Sequence, residues 1–309
     1  MRVRKVLVGA AAVIVGLPLL LAVLGAATVY VLDRSNGHIV SSGQQREFLL
    51  YVPANYDRAR PAPLVISLHG AALWPALQMR ISGWNRLADR YGFIVAYPAA
   101  SGLPRIWHVD RVPGLATDVR FIADLIVALE RDYNIDPARI FANGMSNGGG
   151  MAFVLSCTLS DRIAAIGMVA AAQSLAWDWC TDTRPVPMIA FHGTADPVIP
   201  YGGGPSPVGP DANFPAVADW AANWARRNRC DPDPVESAVA PDVARRIYGG
   251  CAAGASVALY TVRGAGHSWP GGMALPAAIV GPTSDEIDAT LQMWQFFAAH
   301  PLGTGPAVH

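Results

Sequence analysis

The run Ile140-Phe141-Ala142-Asn143-Gly144-Met145-Ser146-Asn147-Gly148-Gly149-Gly150 decides how this chain folds, because it sets a serine between glycines where an apolar strand meets a helical segment. A serine presented at such a turn sits on strained backbone. Side chains at residues 144 and 148 would collide with the neighbouring strand and helix, so glycine there is a steric requirement. The pattern reads as a nucleophile elbow. Glycine-rich turns and helix N-caps give similar strings by chance, so the reading depends on what lies downstream.

Two further strand-turn segments follow. Pro187-Met188-Ile189-Ala190-Phe191-His192-Gly193-Thr194-Ala195-Asp196-Pro197 is an apolar strand ending in a turn with an acid, and Leu259-Tyr260-Thr261-Val262-Arg263-Gly264-Ala265-Gly266-His267 is another ending in a histidine. Serine, acid and histidine thus occur in the chain order of α/β-hydrolases, each just past the C-terminal end of a candidate strand. In a parallel sheet those ends share one edge, so distant residues converge. The chemistry needs this trio: Ser146 becomes nucleophilic only when His267 removes its proton, and Asp196 sets the imidazole tautomer and stabilises the imidazolium. Asp118, Asp211 and Asp219, and His69, His108 and His192, compete less well because of their places in the chain. Upstream, Leu64 to Leu68 runs into His69-Gly70-Ala71, which makes the backbone amides of Ala71 and Asn147 the expected oxyanion donors.

Apolar strands are expected at Gln45 to Val52, Leu64 to Leu68, Phe93 to Tyr97, Ile140 to Ala142, Ala164 to Val169, Met188 to Phe191 and Val257 to Val262. Helical patterns fall between or after them: Trp84 to Tyr91, Asp118 to Tyr133, Gly148 to Cys157, Ala216 to Arg227, and Ser284 to His300 with Ser284 as N-cap. Repeated strand then helix predicts a doubly wound, mostly parallel sheet of the α/β-hydrolase fold. Trp107, in the loop after Pro98, and Trp269, two residues past His267, are candidates for an apolar wall against the substrate, with core packing as the competing explanation.

From about Arg46 to His300 the chain resembles the poly(3-hydroxybutyrate) depolymerase and feruloyl esterase group, which belongs with carbohydrate esterase family 1. The resemblance rests on Leu68-His69-Gly70, on Gly83 to Pro98 (GWNRLADRYGFIVAYP), on Asp118-Val119-Arg120-Phe121, on Gly144 to Gly149, on His192 to Asp196, and on Gly264 to Gly271 (GAGHSWPG). It implies Ser146, Asp196 and His267 as the triad, an acyl-enzyme route without metal or organic cofactor, and ester substrates of short-chain, feruloyl, acetyl or hydroxyalkanoate-oligomer type. Many members carry cysteine after the His-Gly pair, where this chain has Ala71. A serine peptidase or acyltransferase using the same triad, and a catalytically silent surface-binding protein on the same scaffold, are the alternatives.

The 309 residues are 52% hydrophobic and 15% charged, enough for one large domain, expected at 44–300 with a tail at 301–309. Arg2, Arg4 and Lys5 precede an apolar stretch from Val6 to Leu32, roughly 27 residues, read as a signal anchor or cleaved signal peptide at 1–32. Residues 33–43 read as a polar linker. That leader would make the membrane a partner if uncleaved and place the enzyme outside the cytoplasm. It carries three basic and no acidic residues, which leaves the remainder near −3, with no basic footprint for nucleic acid. Four cysteines allow three connectivities, and none forms a Cys-x-x-Cys pair. The preferred pairing, Cys157 with Cys180 and Cys230 with Cys251, closes loops of about 20 residues, each worth on the order of 3 kcal/mol in the chain-entropy model.

Overall fold

A computed structural model describes residues 34–303 except 111, 174, 176 and 208–211. Among the described residues twelve strands occur: β1 (Gly37–Ser41), β2 (Gln44–Tyr51), β3 (Ala62–Leu68), β4 (Ile94–Pro98), β5 (Ile135–Met145), β6 (Ala165–Val169), β7 (Met188–Gly193), β8 (Gly204–Pro205), β9 (Asn213–Phe214), β10 (Val235–Ala240), β11 (Val243–Tyr248) and β12 (Val257–Val262). Ten of them form one sheet in the order β1-β2-β4-β3-β5-β6-β7-β12-β11-β10, with β8 and β9 paired separately. The centre, from β4 to β12, is parallel; β2 and the β10–β11 hairpin run antiparallel at the flanks. The mostly parallel sheet with helices on both faces is consistent with an α/β-hydrolase fold.

Strands β3, β4, β6 and β7 are buried at every position, as expected where helices cover both faces. Alternate residues feed two separate cores. Leu64, Ile66 and Leu68 face helices at Leu115–Asp132 (α3), Asn147–Thr158 (α4) and Val217–Arg227 (α5), through Phe121, Leu125, Phe153 and Trp224. Val65, Val95 and Phe141 face helices at Pro75–Ser82 (α1), Trp84–Tyr91 (α2) and Ala289–Ala299 (α7), through Trp84, Leu87 and Phe297. One short helix, Ala277–Val280 (α6), precedes α7.

The chain places β4 on one side of β3 and then returns to lay β5 on the other. The strand order therefore reverses between β3 and β5, and a crevice opens at the carboxyl ends of strands flanking such a reversal. His69-Gly70 leaves β3 and Ser146 leaves β5 at this point.

Several expectations need correction. Residues 37–41 are not linker but an edge strand, because Ser42 and Gly43 adopt left-handed backbone (φ 52 and 73) and fold it back onto β2 as a two-residue hairpin. The last helix starts at Ala289, where Asp288, not Ser284, accepts the Leu291 N–H at 2.9 Å; Ser284 instead closes a local turn with Glu286. Helix α1 and strands β10 and β11 are additions. Cys157–Cys180 and Cys230–Cys251 are both disulfides, as expected from loop length. The leader at 1–32 lies outside the described residues, and among the described residues no helix is long and apolar enough to cross a membrane.

At the β5–α4 turn the backbones touch: a Cβ on Gly144 would lie 2.3 Å from the Gly148 carbonyl, and one on Gly148 would lie 2.2 Å from the Leu68 oxygen. Backbone cannot yield as a flexible side chain can. Gly144→Ala should therefore cost about 1–3 kcal/mol or more in urea unfolding. Gly202→Ala, whose added methyl meets nothing within 4 Å, should be neutral or a few tenths more stable. Equal stability of the two variants would contradict the close approach.

Candidate active site

Ser146 follows β5 with φ 56 and ψ −124, a left-handed conformation costing a non-glycine residue on the order of 1–3 kcal/mol. Packing on both sides holds it there. Its N–H donates to the Val169 carbonyl at the end of β6, and its own carbonyl accepts the Gly150 N–H inside α4. Similar backbone bonds stitch the neighbouring strand ends together: Ala170 N–H to Phe191 O, Thr194 N–H to Val262 O and Ala195 N–H to Ala265 O. The turns bearing Ser146, Asp196 and His267 are thereby locked to one sheet edge.

His267 and Asp196 are paired directly. The imidazole Nδ1 lies 2.8 Å from Asp196 Oδ2, with the histidine side chain 7% exposed and the carboxylate fully buried. Nε2 has no hydrogen-bond partner among the described residues, and no hydrogen bond joins His267 to Ser146 there. Asp196 Oδ1 accepts the N–H groups of Val198 and Ile199, each at 2.8 Å, and His192 Nε2 approaches Oδ2 at 3.3 Å. Burial alone would push the carboxyl up, but hydrogen bonds from His192 and His267 and the attraction of their rings outweigh it. Asp196 is held well below the usual carboxylate range.

The β3 loop lies against the serine: a Cβ on Gly70 would sit 3.5 Å from Ser146 Cβ. Its geometry is set by His69. The Ala100 N–H donates to His69 Nε2 at 3.1 Å, which puts the ring hydrogen on Nδ1, where it donates to the Gly70 carbonyl at 2.8 Å. Ala72 takes φ 56 and bonds through its N–H to the Arg105 carbonyl. Asn147 opens α4, and its side chain does a job the sequence did not reveal. Oδ1 accepts the Trp107 N–H at 2.8 Å and Nδ2 donates to the Trp107 carbonyl at 3.0 Å, clamping the Trp107 backbone to the residue that follows the serine.

The two tryptophans are corrections. Trp107 and Trp269 are each 1% exposed. The Trp107 indole N–H donates to the His69 carbonyl, and that of Trp269 to Thr290 Oγ1. Both hold loops together from within, in line with the core-packing explanation. Two of the other groups weighed above, Asp118 and His108, pair with each other away from the His267–Asp196 pair. Buried Asp118 joins Arg46 at 2.8 Å and His108 at 2.7 Å, anchoring the loop that carries Trp107. Asp211 lies outside the described residues. A polar chain also runs under the site. Ser67 Oγ and the Trp84 indole N–H both donate to Asn143 Oδ1, and Gln78 Nε2 donates to Ser67 Oγ. The only hint of this in the sequence is a serine and an asparagine at the ends of otherwise apolar strands. Among the described residues no cluster of ligating side chains suits a metal ion.

The depressed Asp196 acidity ties stability to pH. A carboxyl with a folded pKa below its unfolded value of about 3.9 stabilises the fold above that value, and the contribution drains away as the pH falls toward the folded value. The stability advantage of the parent over Asp196→Asn should shrink as the pH falls below about 4. Urea unfolding across that range measures it, and an advantage unchanged at pH 3 would contradict the assignment.

Residues 46–175 match the esterase PHB depolymerase family. Feruloyl esterase B of Piromyces equi is 31% identical over 234 residues, covering 72% of this chain and 42% of the relative. A bifunctional acetylxylan esterase/xylanase of Neocallimastix patriciarum is 27% identical over 236 residues, covering 75% and 32%. The chain thus spans less than half the length of these two curated relatives. The acetyl xylan esterase structure from Aspergillus awamori superposes with a TM-score of 0.62 at 17% identity, over 85% of this chain and 98% of that one, a likeness of fold. By its sequence matches, with an architecture to suit them, the chain is similar to the poly(3-hydroxybutyrate) depolymerase/feruloyl esterase group.

Proposed function

We propose that this protein is a serine esterase of α/β-hydrolase type that cleaves carboxylic esters through an acyl-enzyme. The observation that carries the reading is the buried His267–Asp196 pair on the same sheet edge as a serine held in left-handed backbone. In acylation, Ser146 Oγ attacks the ester carbonyl as His267 Nε2 takes its proton, and Asp196 stabilises the resulting imidazolium. The oxyanion faces the amides of Asn147 and Ala71, each donor worth a few kcal/mol in the transition state. His267 then returns the proton to the departing alkoxide, and water repeats the sequence to release the acid. Two features favour esters with a feruloyl, acetyl or other short acyl group: the family match and the ester substrates in the names of the relatives. The two disulfides support work outside the cytoplasm, where thiols oxidise. The catalytic domain is proposed to run from the first strand to about residue 300.

Ser146→Ala should reduce hydrolysis of p-nitrophenyl acetate and butyrate by several orders of magnitude while the protein stays folded, and should abolish labelling by a fluorophosphonate probe. Activity within tenfold of the parent would overturn the assignment. Paired ester and amide substrates of one acyl group, with and without an added alcohol acceptor, separate hydrolysis of esters from peptidase or acyltransferase action.

A further inference from the structure

His192 is the histidine that the proposed chemistry does not use, yet it touches the carboxylate on which that chemistry depends. It sits at the penultimate position of β7 and is 1% exposed. Its Nε2 lies 2.9 Å from the Ile199 carbonyl, which can only accept, so Nε2 carries the hydrogen. The same N–H lies 3.3 Å from Asp196 Oδ2, the oxygen that also faces His267. Ile199 in turn donates its own N–H to Asp196 Oδ1. Ile199 therefore links His192 to Asp196 by two hydrogen bonds across the Gly193–Pro197 turn, and His192 Nε2 approaches Oδ2 directly at 3.3 Å. The opposite nitrogen, Nδ1, is buried and has no partner among the described residues. An orphaned buried nitrogen costs free energy, and a phenyl ring would fill this space without it, so packing alone does not account for an imidazole here.

Resting on the triad reading above, we propose that His192 is a positioning residue: its Nε2–H holds the Asp196 carboxylate in the orientation that His267 needs as it becomes an imidazolium. Oδ1 is fixed by two backbone amides. Among the described residues Oδ2 is approached only by the two histidines, and His267 is the moving part of the reaction, so His192 is the neighbour that stays constant while the proton transfers. Its loss is felt where the imidazolium forms, in the transition state, and little in substrate binding.

The test compares His192→Phe and His192→Gln in the full chain with p-nitrophenyl butyrate. Phenylalanine keeps the ring volume and removes the donor. Glutamine restores an amide N–H near the place of Nε2. For His192→Phe, kcat should fall roughly tenfold to a hundredfold, as for a small misplacement of a reacting group, with KM within about twofold. His192→Gln should recover most of that loss. A phenylalanine variant with kcat within twofold of the parent, or a glutamine variant no better than phenylalanine, would overturn the proposal. If the phenylalanine variant fails to fold, nitrogen NMR of the histidine-labelled parent decides: the Nε2–H tautomer of His192 supports the proposal and the Nδ1–H tautomer overturns it. Failure of the esterase reading looks different, since the parent would then be inactive or Ser146→Ala would remain active.

Discussion

No Cβ fits between β5 and the helix that follows it. The Gly144 and Gly148 backbones meet at a distance that only glycine permits, and this contact forces the chain to reverse within one residue. That residue is Ser146, whose left-handed backbone lifts its side chain above the sheet edge. The strain is held in place by a central sheet with an independent core on each face, so the turn cannot relax without unpacking the strands beneath it.

Around the serine, precision comes from hydrogen bonds that span long sequence distances. The Asn147 side chain grips the Trp107 backbone, His69 holds Ala100 and the Gly70 carbonyl, and Asp118 with Arg46 and His108 anchors the same loop from below. Each contact uses a polar group that burial would otherwise penalise, so the loop's position and the satisfaction of these groups depend on each other. Asp196 is the extreme case. Two backbone amides and two imidazoles converge on one buried carboxylate, which keeps it ionised and limits its rotation. A preorganised charge of this kind needs no rearrangement when positive charge develops beside it.

The chain order of serine, acid and histidine, each after an apolar strand, was legible because parallel strands covered on both faces must be continuously apolar and because glycine at the elbow answers a local steric demand. The disulfide pairing was legible for a similar reason, since short loops favour sequence neighbours. The β1 hairpin was not, because its strand is short and mixed in polarity, and only the backbone of Ser42 and Gly43 marks it. Strand β10 lies at the sheet edge with most of its residues exposed, so it carries no apolar signature.

By itself, then, the sequence determined the fold class, the sheet edge that carries the site and the three residues proposed to act there, since each depends on periodicity or sterics within a few residues. The tertiary structure alone decided that Trp107 and Trp269 are internal braces, that Asn147 serves through its side chain as well as its backbone, and that His192 faces Asp196. A tryptophan reads the same in a core or a cleft, and a histidine the same whether idle or engaged. What separates these cases is which distant groups the packed strands bring within hydrogen-bonding distance, and no local pattern encodes that.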